Sequence, residues 1–470
     1  MAGAGRYICG LVSALSRIDT TNEYFIFLKR RDQKRFSGLG ENFHLVTLPN
    51  LSRPVRIVWE IAAPRQMVRR YGLDVWHSPH YLLPAGLDDV HSVVTFHDLT
   101  FFLMPHLYSG TKRRFFQAAI RHAAARADTI VAVSDTTRAD ARAVFPDLSP
   151  EKLVRVYSGT NGTFKPVTNP AALARLKTAL QTGSKFVLFV GTLEKRKNLG
   201  VLLSAFHRLV HNGHPDARLV VVGKPENGLR QTLEAIRSLG LADRVVLPGY
   251  LPDADLPVLY SAASLFAYPS QYEGFGFPVV EAMACGTPVL TSNTSALREI
   301  SGRSAMQVPP DDEAGWAARM HRVLSDEAFR SSLVDYGLER ARRFSWQQTA
   351  EQMVEVYSRF RHRRTAIRVT EGQAENPFIA RTPEKLSPLG AAILRTLVYS
   401  DIFDFPLTED EVHASLIGAT STREAVRQML RAQEMRPFVE SSEGYFFLRG
   451  RGHLVEKRKE RARASARLLA

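Results

Sequence analysis

The sequence predicts an α/β protein built from two similar parallel-sheet domains that face each other across a cleft, with a small module of different texture behind them. Three observations lead to this. Residues 1–350 alternate short apolar runs with helical segments, the pattern that crossover helices impose on parallel strands. The turn-rich stretch Ser158-Gly-Thr-Asn-Gly-Thr-Phe-Lys-Pro166 cuts that alternation into two series and suits a hinge. At 470 residues the chain is long enough for two or three domains, each with its own core.

The first series of expected strands is 24–28, 44–48, 74–78, 92–96, 129–133 and 153–157. The second is 186–190, 218–222, 245–247, 265–268, 288–291 and 305–308. Each is a short run rich in β-branched or aromatic residues, bounded by turn formers. The expected division is residues 1–160 for the first domain and 161–345 for the second. A helix follows over 346–362, then a linker over 363–385 and a last module over 386–470.

The N-terminus holds an oddity. Gly3-Ala-Gly5-Arg6-Tyr7 reads as a glycine turn leading into a helix over 7–15. In a doubly wound domain such a turn follows the first strand, yet only Met1-Ala2 precedes it here. The first strand is therefore expected to be missing from this chain. The natural protein is expected to begin upstream, with roughly ten further residues reading as a strand.

Residues 386–470 read as three helices, over 389–399, 409–416 and 422–432, followed by a hairpin around Ser441-Ser-Glu-Gly444. That order is winged-helix-like. From Arg451 onward the chain carries seven Arg/Lys against two Glu, on an expected amphipathic helix.

Composition bounds the function without choosing it. Hydrophobic residues make up 45% and charged residues 23%, as in ordinary globular proteins. No apolar run reaches about 18 residues, so no transmembrane helix is expected, and no signal peptide is visible. Cys9 and Cys285 are expected to be free thiols in a reducing compartment. No Cys/His spacing resembles a zinc site. The net charge of +15 favours anionic partners: nucleotide sugars, anionic lipid surfaces or nucleic acid.

Three segments carry chemistry. In Glu273-Gly-Phe-Gly-Phe-Pro-Val-Val-Glu281, two carboxylates flank a glycine turn at a helix start. Glycine backbone and a helix N-terminus suit a phosphate, and a carboxylate one turn into the helix suits ribose hydroxyls. Gly191-Thr-Leu-Glu-Lys195-Arg196-Lys197-Asn198 places three cations just beyond an expected strand. Seen alone, such a run is ordinarily a solvated face, but the carboxyl end of a parallel strand is where a diphosphate binds. Val94-Thr-Phe-His97-Asp98 puts a histidine at a third strand end, where it can bond a substrate hydroxyl while Asp98 fixes its tautomer.

Together these residues resemble the retaining nucleotide-sugar glycosyltransferases of the GT-B type, in particular glycosyltransferase family 4. The resemblance covers about residues 3–360. Its most specific part is Tyr268-Pro-Ser-Gln-Tyr-Glu-Gly-Phe-Gly-Phe-Pro-Val-Val-Glu-Ala-Met-Ala-Cys-Gly-Thr-Pro-Val289. Phe344-Ser-Trp346 resembles that family's start of a helix that crosses back onto the first domain. The resemblance implies a role for each matching position. Glu281 would bind the donor ribose. Glu273, Gly274, Phe275 and Gly276 would hold the sugar and diphosphate. Lys197, helped by Arg196, would neutralise the leaving diphosphate. His97 would contact the transferring sugar, and Gly5 would let the backbone approach the donor. Thr192 stands where many members carry Arg, a place that Arg196 would fill instead. The absence of an Asp-x-Asp at a plausible strand end agrees with a metal-independent site, and no cofactor is expected.

The expected function is transfer of a hexose from a nucleotide-diphosphate sugar, GDP-mannose first, to a glycan or lipid-linked acceptor in bacterial cell-surface polysaccharide synthesis. A cytoplasmic enzyme is expected, with the basic tail touching anionic inner-leaflet lipid. One alternative is a degenerate sugar-nucleotide-binding scaffold, motivated by the missing strand. Another is a nucleic-acid-binding regulator acting through the last module, which the lack of aromatics interleaved with the basic tail disfavours. Residues 394–408 also resemble a winged-helix-like region found in some bacterial proteins with nucleotidyltransferase domains. No nucleotidyltransferase motif follows.

Overall fold

The computed structural model describes residues 3–48, 64–88, 90–160, 162–226, 228–303, 306–359, 386–401, 406–414, 416, 421–456 and 458–460. The first helix, Gly3–Ile18, buries Tyr7, Leu11, Val12, Ala14 and Leu15 along one face. Its i, i+4, i+8 spacing is the ordinary stripe of a helix lying on a core. Strands β1 (Tyr24–Lys29) and β2 (Phe43–Leu48) pair in parallel. Four further strands, β3 (Val75–Ser78), β4 (His91–Phe96), β5 (Thr129–Ala132) and β6 (Leu153–Arg155), form a separate parallel sheet in sequential order. β1 and β3 are edges of the two sheets, joined by side chains: Phe27 stacks on Trp76 with ring centroids 5.4 Å apart.

The sheet of the second domain has six parallel strands, β7 (Phe186–Val190), β8 (Arg218–Val222), β9 (Val245–Gly249), β10 (Leu265–Tyr268), β11 (Val289–Ser292) and β12 (Gln307–Val308). Their spatial order is β12-β11-β10-β7-β8-β9. β7 and β10 are wholly buried, which is why they read as unbroken apolar runs rather than alternating ones. From β7 the chain winds outward through β8 and β9, then returns to β10 on the other side. The strand order therefore reverses between β7 and β10, and a crevice opens at their carboxyl ends.

All twelve expected strands form, most with ends shifted by one or two residues. Residue 305, the expected start of the last one, lies outside the described residues. One local reading is corrected: Gly3, Ala4 and Gly5 lie inside the first helix, not in a turn before it. A helix start needs no turn once Tyr7 and Leu11 are anchored in the core.

The helix Trp346–Ser358 packs against the first helix. Trp346 meets Tyr7 edge-on at 6.0 Å, and Tyr357 Oη lies 2.8 Å from His77 Nδ1 on β3. One apolar cluster consequently runs from Tyr7 through the six-stranded sheet to Val356.

Beyond it, helices Pro388–Asp401, Glu409–Ala414 and Arg423–Arg431 precede the antiparallel hairpin of β14 (Val439–Ser442) and β15 (Tyr445–Leu448). They enclose their own core of Ile393, Leu397, Val412, Val426, Leu430 and Phe446. A short strand that the sequence does not announce, β13 (Leu407–Thr408), pairs with β15. Two residues are too few to display a period. The expected linker over 363–385 and the end of the basic tail, 461–470, lie outside the described residues. Among the described residues no helix is long and apolar enough to cross a membrane.

Candidate active site

The loops that leave β7 and β10 carry the cations and carboxylates of the crevice. After β7, a single 3-10 turn over Lys195–Lys197 ends at Asn198 in the left-handed conformation. That turn directs Arg196 and Lys197 inward, toward the loop after β10. Lys197 Nζ donates to Glu273 Oε1 at 2.6 Å and to Tyr268 Oη at 2.8 Å. Arg196 Nη1 lies 3.0 Å from Glu273 Oε2, and its Nη2 lies 2.7 Å from Glu194 Oε1. Ser270 Oγ and Tyr268 Oη donate to Glu273 Oε1 at 2.6 and 3.1 Å.

Burial by itself would raise the Glu273 carboxyl. Arg196 and Lys197 more than reverse that and hold it at about 2. Burial lowers Lys197, and Glu273 works against that shift. Burial also opposes the charge on Arg196, but Glu273 and Glu194 outweigh it and raise its pKa. The four groups make a compact neutral cluster of two cations and two anions.

Gly276 caps the helix Phe277–Ala284 with φ near +103°, a conformation that a side chain rarely adopts. Gly274 has a different reason to be glycine. A Cβ there would stand 1.6 Å from the carbonyl oxygen of His97. Glycine here lets the two domains touch. Phe275 is buried among Phe277, Phe344 and Tyr157. Gly5 sits in the first turn of the Gly3–Ile18 helix. The start of that helix faces the second domain, since a Cβ on Gly3 would lie 3.9 Å from the Phe277 ring.

His97 follows β4 and is half-buried against Tyr7, 5.0 Å away edge to face. Its Nε2 lies 2.8 Å from the carbonyl oxygen of Pro79. A carbonyl only accepts, so this contact assigns the proton to Nε2 and leaves Nδ1 as an acceptor. Burial lowers its pKa despite the Pro79 carbonyl and Asp98. The expected tautomer role of Asp98 is therefore corrected. Its carboxylate instead accepts from Thr100 N at 3.0 Å, Thr100 Oγ1 at 2.7 Å and Tyr81 Oη at 3.0 Å.

Glu281 is buried on the helix that Gly276 caps. Its Oε2 accepts from Tyr260 Oη at 3.0 Å, and its Oε1 pairs with the guanidinium of Arg6. Burial raises its pKa, with Arg6 and Tyr260 opposing. Two clusters thus meet at the crevice, Arg196–Lys197–Glu273 and Arg6–Glu281, and His97 abuts the loop between the two glutamates.

Sequence reasoning missed Arg6, Tyr260, Ser270, Tyr268 and the Pro79 carbonyl. Arg6, Tyr268 and Ser270 all lie inside motifs whose glycines and carboxylates drew the attention. Tyr260 and Pro79 had no local signal at all. Cys9 and Cys285 are free, as expected, and burial pushes the Cys285 thiol up to about 12.

Two family models match this architecture. Residues 1–162 match glycosyltransferase family 4, and residues 171–340 match the glycosyl transferases group 1. The chain belongs to glycosyltransferase family 4. It is 28% identical over 371 residues to the O-antigen chain mannosyltransferase B of Escherichia coli, across 76% of this chain and 96% of that one. It is 30% identical over 313 residues to the serotype-specific mannosyltransferase WbdA of Escherichia coli, across 65% of this chain but only 38% of WbdA. Among solved structures, the sucrose-phosphate synthase of Thermosynechococcus elongatus superposes with a TM-score of 0.61 at 25% identity, covering 76% of this chain and 93% of that one. The two parallel-sheet domains and their crevice are therefore the GT-B arrangement, and the protein is a glycosyltransferase.

Proposed function

We propose that this enzyme transfers a hexose from a nucleotide-diphosphate sugar, GDP-mannose first, to a glycan or lipid-linked acceptor in cell-surface polysaccharide synthesis, with retention of anomeric configuration. The observation that carries the reading is the buried Arg196–Lys197–Glu273 cluster at the β7/β10 reversal, with His97 of the facing domain against the same loop. The mannosyltransferase relatives support the choice of sugar.

In this reading the donor lies along the crevice with its ribose toward Glu281. Its diphosphate meets Arg196, Lys197 and the start of the helix that Gly276 caps. Negative charge grows on the departing phosphate as the glycosidic bond lengthens. Preorganised cations stabilise that charge more than they stabilise the bound donor, which is what speeds the step. His97, neutral and accepting through Nδ1, positions a hydroxyl of the transferring sugar. The leaving phosphate takes the acceptor proton, so Glu273 orients the two cations and does not attack the sugar. No metal is assigned a role.

We propose residues 386–470 as a winged-helix-like accessory module. Its third helix does not present free cations to a nucleic acid: Arg427 lies 2.8 Å from Glu409, Arg431 lies 3.4 Å from Glu409, and Arg423 pairs with Asp410. Peripheral contact with anionic lipid is proposed for the tail.

The test is incubation with a panel of nucleotide sugars and a mannose-terminated acceptor, with and without excess EDTA, followed by NMR of the product. GDP-mannose should react, the α configuration should be kept and chelator should not matter. An inverted product removes the retaining mechanism. Loss of turnover in EDTA, restored by Mg²⁺ or Mn²⁺, removes the metal-free reading.

A further inference from the structure

Arg6 reaches out of one domain and clamps two carboxylates of the other. It stands in the first helix, Gly3–Ile18, and its side chain is 20% exposed. One guanidinium nitrogen pairs with Glu281, whose side chain is 3% exposed. A second lies 3.0 Å from Asp253 Oδ1, just ahead of the helix Leu256–Ala262. Tyr260 from that helix donates to the other oxygen of Glu281. Both oxygens of the carboxylate assigned to the ribose are therefore engaged by groups of the protein itself.

An ionised carboxylate buried this deeply needs a cation or several donors. Arg6 supplies that cation, and a ribose can replace it by donating two hydroxyls. The displaced guanidinium then needs an anion. It hangs at the start of a helix whose positive end faces the crevice, beside the start of the Phe277–Ala284 helix. Arginine's planar fork matches phosphate oxygens in a two-pronged pair.

We infer that Arg6 is a donor-operated clamp: it holds Glu281 and Asp253 in the donor-free enzyme, and exchanges them for the diphosphate of the nucleotide sugar when the ribose takes Glu281. The inference rests on the proposed donor site. It adds a third cation for the diphosphate, one contributed by the first domain. Donor binding and the contact between the domains are thereby coupled through one side chain, because Arg6 changes partner without leaving the interface.

The experiment is calorimetric titration of guanosine and GDP, with uridine and UDP alongside, into the wild-type full chain and into Arg6→Ala. Removing Arg6 frees Glu281 for the ribose and takes one charged partner from the phosphates. Nucleoside binding should be as tight as in wild type or tighter. Diphosphate binding should weaken, so that the diphosphate-to-nucleoside affinity ratio falls roughly ten- to hundredfold, the range for a charge-assisted hydrogen bond. An Arg6 that merely paired with Glu281 for structure would shift both ligands alike, and an unchanged ratio overturns the clamp while leaving the donor site in place. Wild type that binds neither diphosphate overturns the donor reading and the clamp with it. If Arg6→Ala loses its fold by circular dichroism, Arg6→Lys serves instead. It keeps the charge without the fork, and the clamp requires a reduced ratio there too.

Discussion

Replacing Glu273 by glutamine tests the centre of the site most directly. The carboxylate accepts from Lys197 at 2.6 Å and Ser270 at 2.6 Å, and pairs with Arg196 at 3.0 Å. Glutamine keeps the shape, removes the charge and turns an amide toward two buried cations. Two routes give the cost. Breaking a buried ion pair by removing one partner costs about 3–5 kcal/mol. Linkage gives a similar figure: the carboxyl is held at about 2 against an ordinary 4.5, which corresponds to about 3 kcal/mol. The folded pKa is the depressed one, so this stability is present above pH 4.5 and is lost as pH falls toward 2. By pH 3.5, about 1.4 kcal/mol of it should be gone. Urea unfolding of wild type and Glu273→Gln at several pH values between 7 and 3.5 reads this out. The gap should be about 3 kcal/mol at pH 7, constant down to about pH 5, and narrower below. A gap under about 1 kcal/mol, or one indifferent to pH, would refute the picture of Glu273 as the anion that holds both cations.

Lys197→Ala should cut turnover by roughly 10²–10³, the effect of losing one preorganised charge donor; a folded variant with near-normal turnover would contradict the diphosphate assignment. Gly274→Ala places a methyl 1.6 Å from the His97 carbonyl, so the domains must part by roughly 1.5 Å and turnover should fall about 10²-fold in a protein that still folds. Unchanged kinetics would mean that the domain contact is not the working geometry. Glu299 accepts from Asp135 N, Thr136 N and Thr136 Oγ1 at 2.8, 2.9 and 3.0 Å, capping a first-domain helix from the second domain. Glu299→Ala should weaken that cap by about 1 kcal/mol and speed hydrogen exchange at residues 135 and 136, whereas undisturbed protection there would show that the cap does not hold the domains together.

Local pattern determined the scaffold of this protein. Buried strands such as Phe186–Val190 and Leu265–Tyr268 announce themselves as short apolar runs between turn formers. The same runs place Lys197 and Glu273 at strand ends, where an α/β sheet opens its crevice. Only the tertiary structure decided who partners whom. Arg6 meets Glu281 across 275 residues of sequence, and Glu299 reaches Thr136 across 163. Gly274 must be glycine for the same reason, because what fills the space beside it is His97 of the other domain. Periodicity records which side of an element is buried, and it does so within a few residues. Pairing across a cleft depends on how two folded bodies dock, and no stretch of sequence carries that information alone.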